Sequence, residues 1–213
     1  MHHLTSEEIN RYAESFTTGE SELLYDLNRQ THLKTELPVM LSGHLQGRFL
    51  SMISKMIRPD FILEIGTFTG YSALCLAEGL HPEGKLITID NHPEQAAIAQ
   101  QYFDRSPFKN QINLIVGKAV DVLNYLNYEF NLVFIDADKI NYSTYFDQII
   151  DKVKKGGYIL ADNVLYHAEV LEKNNAGKNA KAMHAYNEKI SLDTRLENVL
   201  LPLRDGLMIS RKK

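Results

Sequence analysis

The chain has 213 residues, 44% of them hydrophobic, with 12 Gly and 6 Pro, which suits one domain with a sizeable core. A formal net charge of -4 argues against a nucleic-acid partner, and the single Cys, Cys75, excludes an internal disulfide framework and a Cys-based zinc site. No apolar stretch is long enough for a membrane span and the first residues carry no signal-peptide pattern, so a cytoplasmic protein is expected.

Residues 5–30 read as helical: Thr5 or Ser6 can cap, Glu7 and Glu8 suit the positive end of the helix dipole, and Leu23, Leu24 and Leu27 recur at helical spacing. Residues 31–38 form a connector. The segment MLSGHLQGRFLSMISKMI then turns helical, with Leu45, Phe49, Met52, Ile53 and Met56 on one face and Met52 and Met56 expected as core filler. After Arg58-Pro59-Asp60 comes a first strand, 61–65, a tight loop at 66–70 and a helix at 72–80. A strand, glycine loop and helix in that order suit a nucleotide-type ligand, because glycines let it approach the backbone and the helix start offers free N–H groups. The loop is G-x-x-x-G, so the dinucleotide fingerprint G-x-G-x-x-G is not met.

A second strand, 85–89, ends in Asp90, 24 residues after Gly66, where an α/β nucleotide fold places the acid that binds ribose hydroxyls. The plainer reading is a strand-terminal acid capping the helix at 95–103. A third strand, 112–116, and a short helix, 121–126, lead to the centre of the chain, residues 131–163. There two short apolar runs, 131–135 and 158–161, end on hard donors: Asp136, Asp138 and Lys139 after the first, Asp162 and Asn163 after the second. If the two strands are parallel, both endings lie on the carboxyl edge of the sheet, where open α/β sheets bind ligands. Two carboxylates and an amide oxygen there make an all-oxygen site suited to Mg²⁺. Turn preference alone explains such residues one at a time, and explains less well why both strands end this way. Residues 174–179 lack apolar periodicity and are expected as a mobile loop, 182–192 as a helix, and 198–203 with 206–210 as a closing β-hairpin. There is no internal repeat or domain-sized linker. The expectation is one α/β domain over 1–213, with an N-terminal helical segment at 1–57 and an α/β core at 58–213.

Taken together, LEIGTFTGYSAL, ITID, FIDADKINY, GGYILADNVL and LPLRDGL resemble the class I S-adenosylmethionine-dependent O-methyltransferases, in particular the metal-dependent caffeoyl-CoA and catechol group. The resemblance runs from about Tyr12 to the end of the chain. It implies a Rossmann-like fold: a mostly parallel seven-stranded sheet with a C-terminal hairpin and helices on both faces. It also implies that Glu64, Gly66 and Ser72, with Ser42, hold the methionine part of S-adenosylmethionine. Asp90 would take the ribose, and Ala119 and Asp138 would line the adenine. Asp136, Asp162 and Asn163 would bind a divalent cation, with Asp136 and Lys139 as the catalytic pair and Lys139 beside the oxygen of a small phenolic, catechol-like acceptor. A homodimer is the family's habit. One departure stands out: after the cation ligands the chain reads DNVLYHAEV, so Tyr166 and His167 replace an aromatic and a polar position near the substrate in plant members. Rival readings are a nicotinamide-dependent oxidoreductase, disfavoured by the missing glycine; a non-catalytic module of the same fold; and a nucleic-acid methyltransferase, disfavoured by charge.

Overall fold

Short apolar runs between polar and glycine punctuation become strands, and the periodic segments between them become helices, in the computed structural model, which describes residues 6–172 and 176–213. The strands are β1 (Phe61–Ile65), β2 (Lys85–Asp90), β3 (Ile112–Val116), β4 (Phe130–Ile135), β5 (Val153–Asp162), β6 (Leu196–Leu201) and β7 (Leu207–Lys212). They make one seven-stranded sheet in the order β3-β2-β1-β4-β5-β7-β6. The first five strands run parallel, while β7 is antiparallel to both β5 and β6. The helices are α1 (Glu7–Ser15), α2 (Glu22–Lys34), α3 (Gly43–Ile57), α4 (Tyr71–Ala77), α5 (Pro93–Arg105), α6 (Ala119–Val122), α7 (Tyr142–Ile149) and α8 (Lys178–Leu192).

Successive strand residues point to opposite faces, and here both faces are covered. Ile62, Leu86, Leu132, Phe134 and Leu160 pack with residues of α2 to α5. Leu63, Ile65, Ile87, Ile89, Val133 and Ile135 pack on the other side with α7 and α8. Burial on two faces is why the inner parallel strands read as nearly continuous apolar runs rather than as alternating ones.

Several boundaries differ from expectation for identifiable reasons. Residues 5–30 are not one helix: α1 ends before 16–21, a stretch containing Thr17, Thr18 and Gly19, and α2 restarts where the Ser21 hydroxyl accepts from Leu24 N at 3.3 Å. Ser6 caps α1 by accepting from Ile9 N, while Thr5 lies outside the described residues. The expected burial of Met52 and Met56 is wrong: they are 60% and 75% exposed. The buried face of α3 is instead Gln46, Gly47, Leu50, Ser51 and Ser54. Close approach decides this, since a Cβ on Gly47 would stand 2.5 Å from Tyr71 Cε1 of α4. Small residues let the helices meet there, and of the expected apolar stripe Met52 and Met56 are left outside while Phe49 and Ile53 are partly buried against the core. The helix expected at 121–126 sits earlier, as α6. The strand expected at 158–161 is the end of the longer β5, whose register against β4 shifts between Phe130 and Leu132. Of the loop expected at 174–179, Asn174 and Asn175 lie outside the described residues, and Lys178 and Asn179 already belong to α8.

Candidate functional site

The strand order reverses between β1 and β4, because β1 leads on to β2 on one side and is joined by β4 on the other. Loops leaving the carboxyl ends of these two strands part there and open a cleft. The cleft measures about 910 Å³ and is lined by loops after β1, β2, β3, β4 and β5 and by the segment ahead of α3. Gly66 makes the parting tight: its φ is +100° and a Cβ would lie 1.9 Å from the Asp136 carbonyl oxygen, so no side chain fits.

All the residues singled out from sequence gather here. Ser42, Gly66, Ser72, Asp90, Ala119, Asp136, Asp138, Lys139, Asp162 and Asn163 line the cleft, and Glu64 lies beneath its floor. Asp90 is fixed at the end of β2: its Oδ2 accepts from Phe68 N at 2.7 Å and its Oδ1 from His92 N at 2.8 Å. Both oxygens keep a lone pair for a ligand hydroxyl. Asp138 accepts from Tyr145 OH and from Asn141 Nδ2. Glu64 is fully buried. Burial raises its carboxyl to about 8, against the nearby Ser72 and Thr88 hydroxyls, which favour the ionised form; Asp136 and Asp90 push it further up. Thr88 donates to Oε2, and Oε1 has no hydrogen-bond partner among the described residues. An unpaired buried carboxyl oxygen costs about 1–3 kcal/mol, so a cationic donor such as an amino-acid ammonium fits the position.

The other half of the cleft is built by the ends of β4 and β5, which are parallel neighbours. Lys139 Nζ donates to Asp136 Oδ1 at 3.0 Å, to Asn163 Oδ1 at 2.6 Å and to Tyr142 OH at 2.8 Å. The ammonium thus stands among the oxygens as a monovalent cation would. Asp162 is buried, and burial followed by the neighbouring Asp136 carboxylate pushes it up, against Arg204, Gln46 and Lys139. A hard divalent cation would relieve both effects, and Asp136, Asp162 and Asn163 supply the oxygen donors it prefers. Among the described residues no three His, Cys, Asp or Glu side chains cluster for a metal, because the third donor here is the Asn163 amide. The donor set therefore fits an oxygen-ligated ion that keeps positions for water or substrate.

Four residues at this site escaped the sequence reading. Tyr142 receives Lys139 and donates to the Asp162 carbonyl at 3.0 Å; its position three after Lys139, one helical turn, was the available signal. Gln46 donates from Nε2 to Asp162 Oδ2 at 2.8 Å, and Arg204 donates to Gln46 Oε1 at 2.5 Å. Both are long-range partners with no local signature. Asp205 receives His167 N at 2.6 Å and ties down the turn after β5. In that turn Asn163, Tyr166, His167 and Ala168 all have positive φ, between 43° and 64°. Four non-glycine residues in the left-handed region mark a backbone held at some cost beside the cleft.

Residues 13–213 match the family described as "O-methyltransferase". A catechol O-methyltransferase of Niastella koreensis is 33% identical over 171 residues, 78% of this chain and 77% of that one. A caffeoyl-CoA O-methyltransferase of Petroselinum crispum is 32% identical over 206 residues, 91% of this chain and 85% of its own. Among solved structures, the SAH-bound Podospora anserina methyltransferase PaMTH1 superposes with a TM-score of 0.90 at 27% identity, covering 97% of this chain and 94% of that one.

Proposed function

The chain belongs to the O-methyltransferase family, as an S-adenosylmethionine-dependent enzyme, and on that premise we propose that it methylates one hydroxyl of a small phenol bearing two adjacent hydroxyls, held on a divalent cation. The observation that carries the proposal is the meeting of Asp136, Asp162, Asn163 and Lys139 in the same cleft as the glycine loop. Both relatives are named for acceptors with adjacent ring hydroxyls, which supports the substrate class. Family membership favours methyl transfer over the nicotinamide alternative.

When bound, the cofactor supplies an electrophilic methyl on a sulfonium, and the cation supplies Lewis-acid activation and a fixed place for the acceptor oxygens. The rest falls to the chain. Glu64 and Ser72, with the Gly66 backbone and Ser42, hold the amino-acid end of the cofactor. Asp90 holds the ribose hydroxyls, and Ala119 and Asp138 flank the adenine. Asp136, Asp162 and Asn163 would bind the cation, Mg²⁺ being one of the hard ions that this oxygen set suits. Lys139 Nζ, 14% exposed as a side chain, would accept the acceptor hydroxyl's proton in its neutral amine form, having first released its own proton to solvent. Fixing nucleophile and methyl group in line supplies much of the remaining rate. A homodimer belongs to the same proposal, supported by the exposed Leu37, Val39 and Met40 beside the cleft and Met52 and Met56 on α3.

The test is methyl transfer from S-adenosylmethionine to a small panel of catechols, with Mg²⁺ and with EDTA. Product that depends on Mg²⁺ is expected. Product indifferent to EDTA would remove the cation from the reading, and no product in either arm would remove the acceptor class.

A further inference from the structure

Asp162 is 1% exposed, so the orientation of its carboxylate is set by protein groups. Its Oδ1 accepts from the neighbouring Asn163 N at 2.8 Å and its Oδ2 from Gln46 Nε2 at 2.8 Å. Gln46 is itself buried, on the packed face of α3. An amide could present either its oxygen or its nitrogen to Asp162, and the oxygen would repel the carboxylate. Arg204 removes that choice: its Nη1 donates to Gln46 Oε1 at 2.5 Å, which turns Nε2 toward Asp162. The same guanidinium donates to the Ser42 carbonyl at 2.5 Å and the Leu41 carbonyl at 3.1 Å. One arginine thus clamps the turn between β6 and β7 to the entry of α3 and, through Gln46, to the end of β5. The backbone is bent to achieve this, because Arg204 has φ +50° although it is not a glycine.

We infer that Gln46 and Arg204 are positioning residues that act in series: Arg204 fixes the Gln46 amide, and Gln46 fixes the Asp162 carboxylate in the orientation that cation binding uses. The inference rests on the cation reading given above. A ligand carboxylate held by a second hydrogen-bonded group keeps both its direction and its basicity, and loss of such a partner costs about 10–100-fold in metal affinity.

The experiment is calorimetric titration of Mg²⁺ into protein saturated with S-adenosylhomocysteine, for the wild type, Gln46→Leu, Arg204→Gly and the double variant. Arg204→Gly suits this purpose because the left-handed turn accepts glycine without strain, so its loss of affinity reports the missing guanidinium and not a broken turn. Each single variant should weaken Mg²⁺ about tenfold. S-adenosylhomocysteine affinity should change less than about twofold in Gln46→Leu, Arg204→Gly being allowed a further loss through its Ser42 contact, and for Mg²⁺ the double variant should be no weaker than the worse single one, because serial parts do not add. Arg204→Lys, which keeps a donor for Gln46 Oε1 but not the forked reach, should recover part of the loss. Unchanged Mg²⁺ affinity in folded Gln46→Leu or Arg204→Gly overturns the relay while leaving the cation centre standing. A wild type that binds S-adenosylhomocysteine and no Mg²⁺ overturns the centre and the relay together.

Discussion

Replacing Glu64 by Gln isolates the ionisation of a carboxyl that the sheet buries completely. Burial is the main cause of its rise from an ordinary 4.5 to about 8. A carboxyl whose folded value is raised favours folding fully below its unfolded value, and that contribution is lost as pH rises through the folded value. For Glu64 the window runs from about 4.5 to about 8, and the loss is ~1.4 kcal/mol per pH unit. At pH 7 the accumulated loss is about 3 kcal/mol, from ~2.5 units between 4.5 and 7. Gln keeps an acceptor for Thr88 and never ionises. Urea denaturation of the cofactor-free protein, from about pH 5 to about pH 7.5, should therefore give a stability that falls more steeply with pH in the wild type than in Glu64→Gln. S-adenosylhomocysteine should invert the dependence: if its ammonium pairs with Glu64, binding releases a proton, and affinity should climb up to about tenfold per pH unit below about 8 in the wild type and stay flatter in the variant. Parallel stability slopes in the two proteins would refute the reasoning, because they would mean that Glu64 does not change ionisation on folding.

Gly66→Ala should cost about 2–5 kcal/mol and abolish cofactor binding, since the new methyl meets the Asp136 carbonyl and φ is +100°; retained binding by calorimetry would contradict the tight parting of the loops. Glu78 is 20% exposed and receives Arg48, Lys55 and Ser51; burial alone would raise its carboxyl, but these partners outweigh it and hold it at about 2. Its contribution is thus present above about 4.5 and lost as pH falls toward about 2, and Glu78→Gln should remove about 3 kcal/mol at neutral pH and flatten the acid limb of the stability curve. Lys139→Ala should lower kcat by about 10²–10⁴ while shifting acceptor KM only a few-fold, and an unchanged kcat would exclude it as the proton acceptor.

The parts of this molecule written in local sequence were legible in advance. Strand 61–65 declares itself as a nearly continuous apolar run because both faces of the sheet are covered there, while 112–116, a partly exposed edge strand, is legible from the polar and glycine residues that bound it. The site acids were legible for a related reason: Asp90, Asp136 and Asp162 stand at or just beyond strand ends, where polar residues interrupt those runs. What stayed hidden depends on partners far along the chain. The buried face of α3 is set by Tyr71 and α4, which leaves Met52 and Met56 of the helix's own apolar stripe exposed. Gln46 matters through Asp162, 116 positions away, and Arg204 through Gln46, 158 positions away. No window read along the chain holds both members of either pair.

The strand order also bears on how the chain assembles itself. β7 comes last of the seven strands in the chain, yet it lies between β5 and β6, bonded to Asp162 on one side through Leu207 and to Leu201 on the other. Before β7 is added, a growing chain can pair β1 through β5 but leaves β5 with an open edge and β6 with no neighbour in the sheet. Such an intermediate presents unpaired backbone to any other chain it meets. The final strand therefore acts as a keystone: it joins sheet and hairpin in one step, and the loop carrying Arg204 and Asp205 arrives at the cleft with it. Assembly of the cleft edge is thus tied to the strand that comes last in chain order.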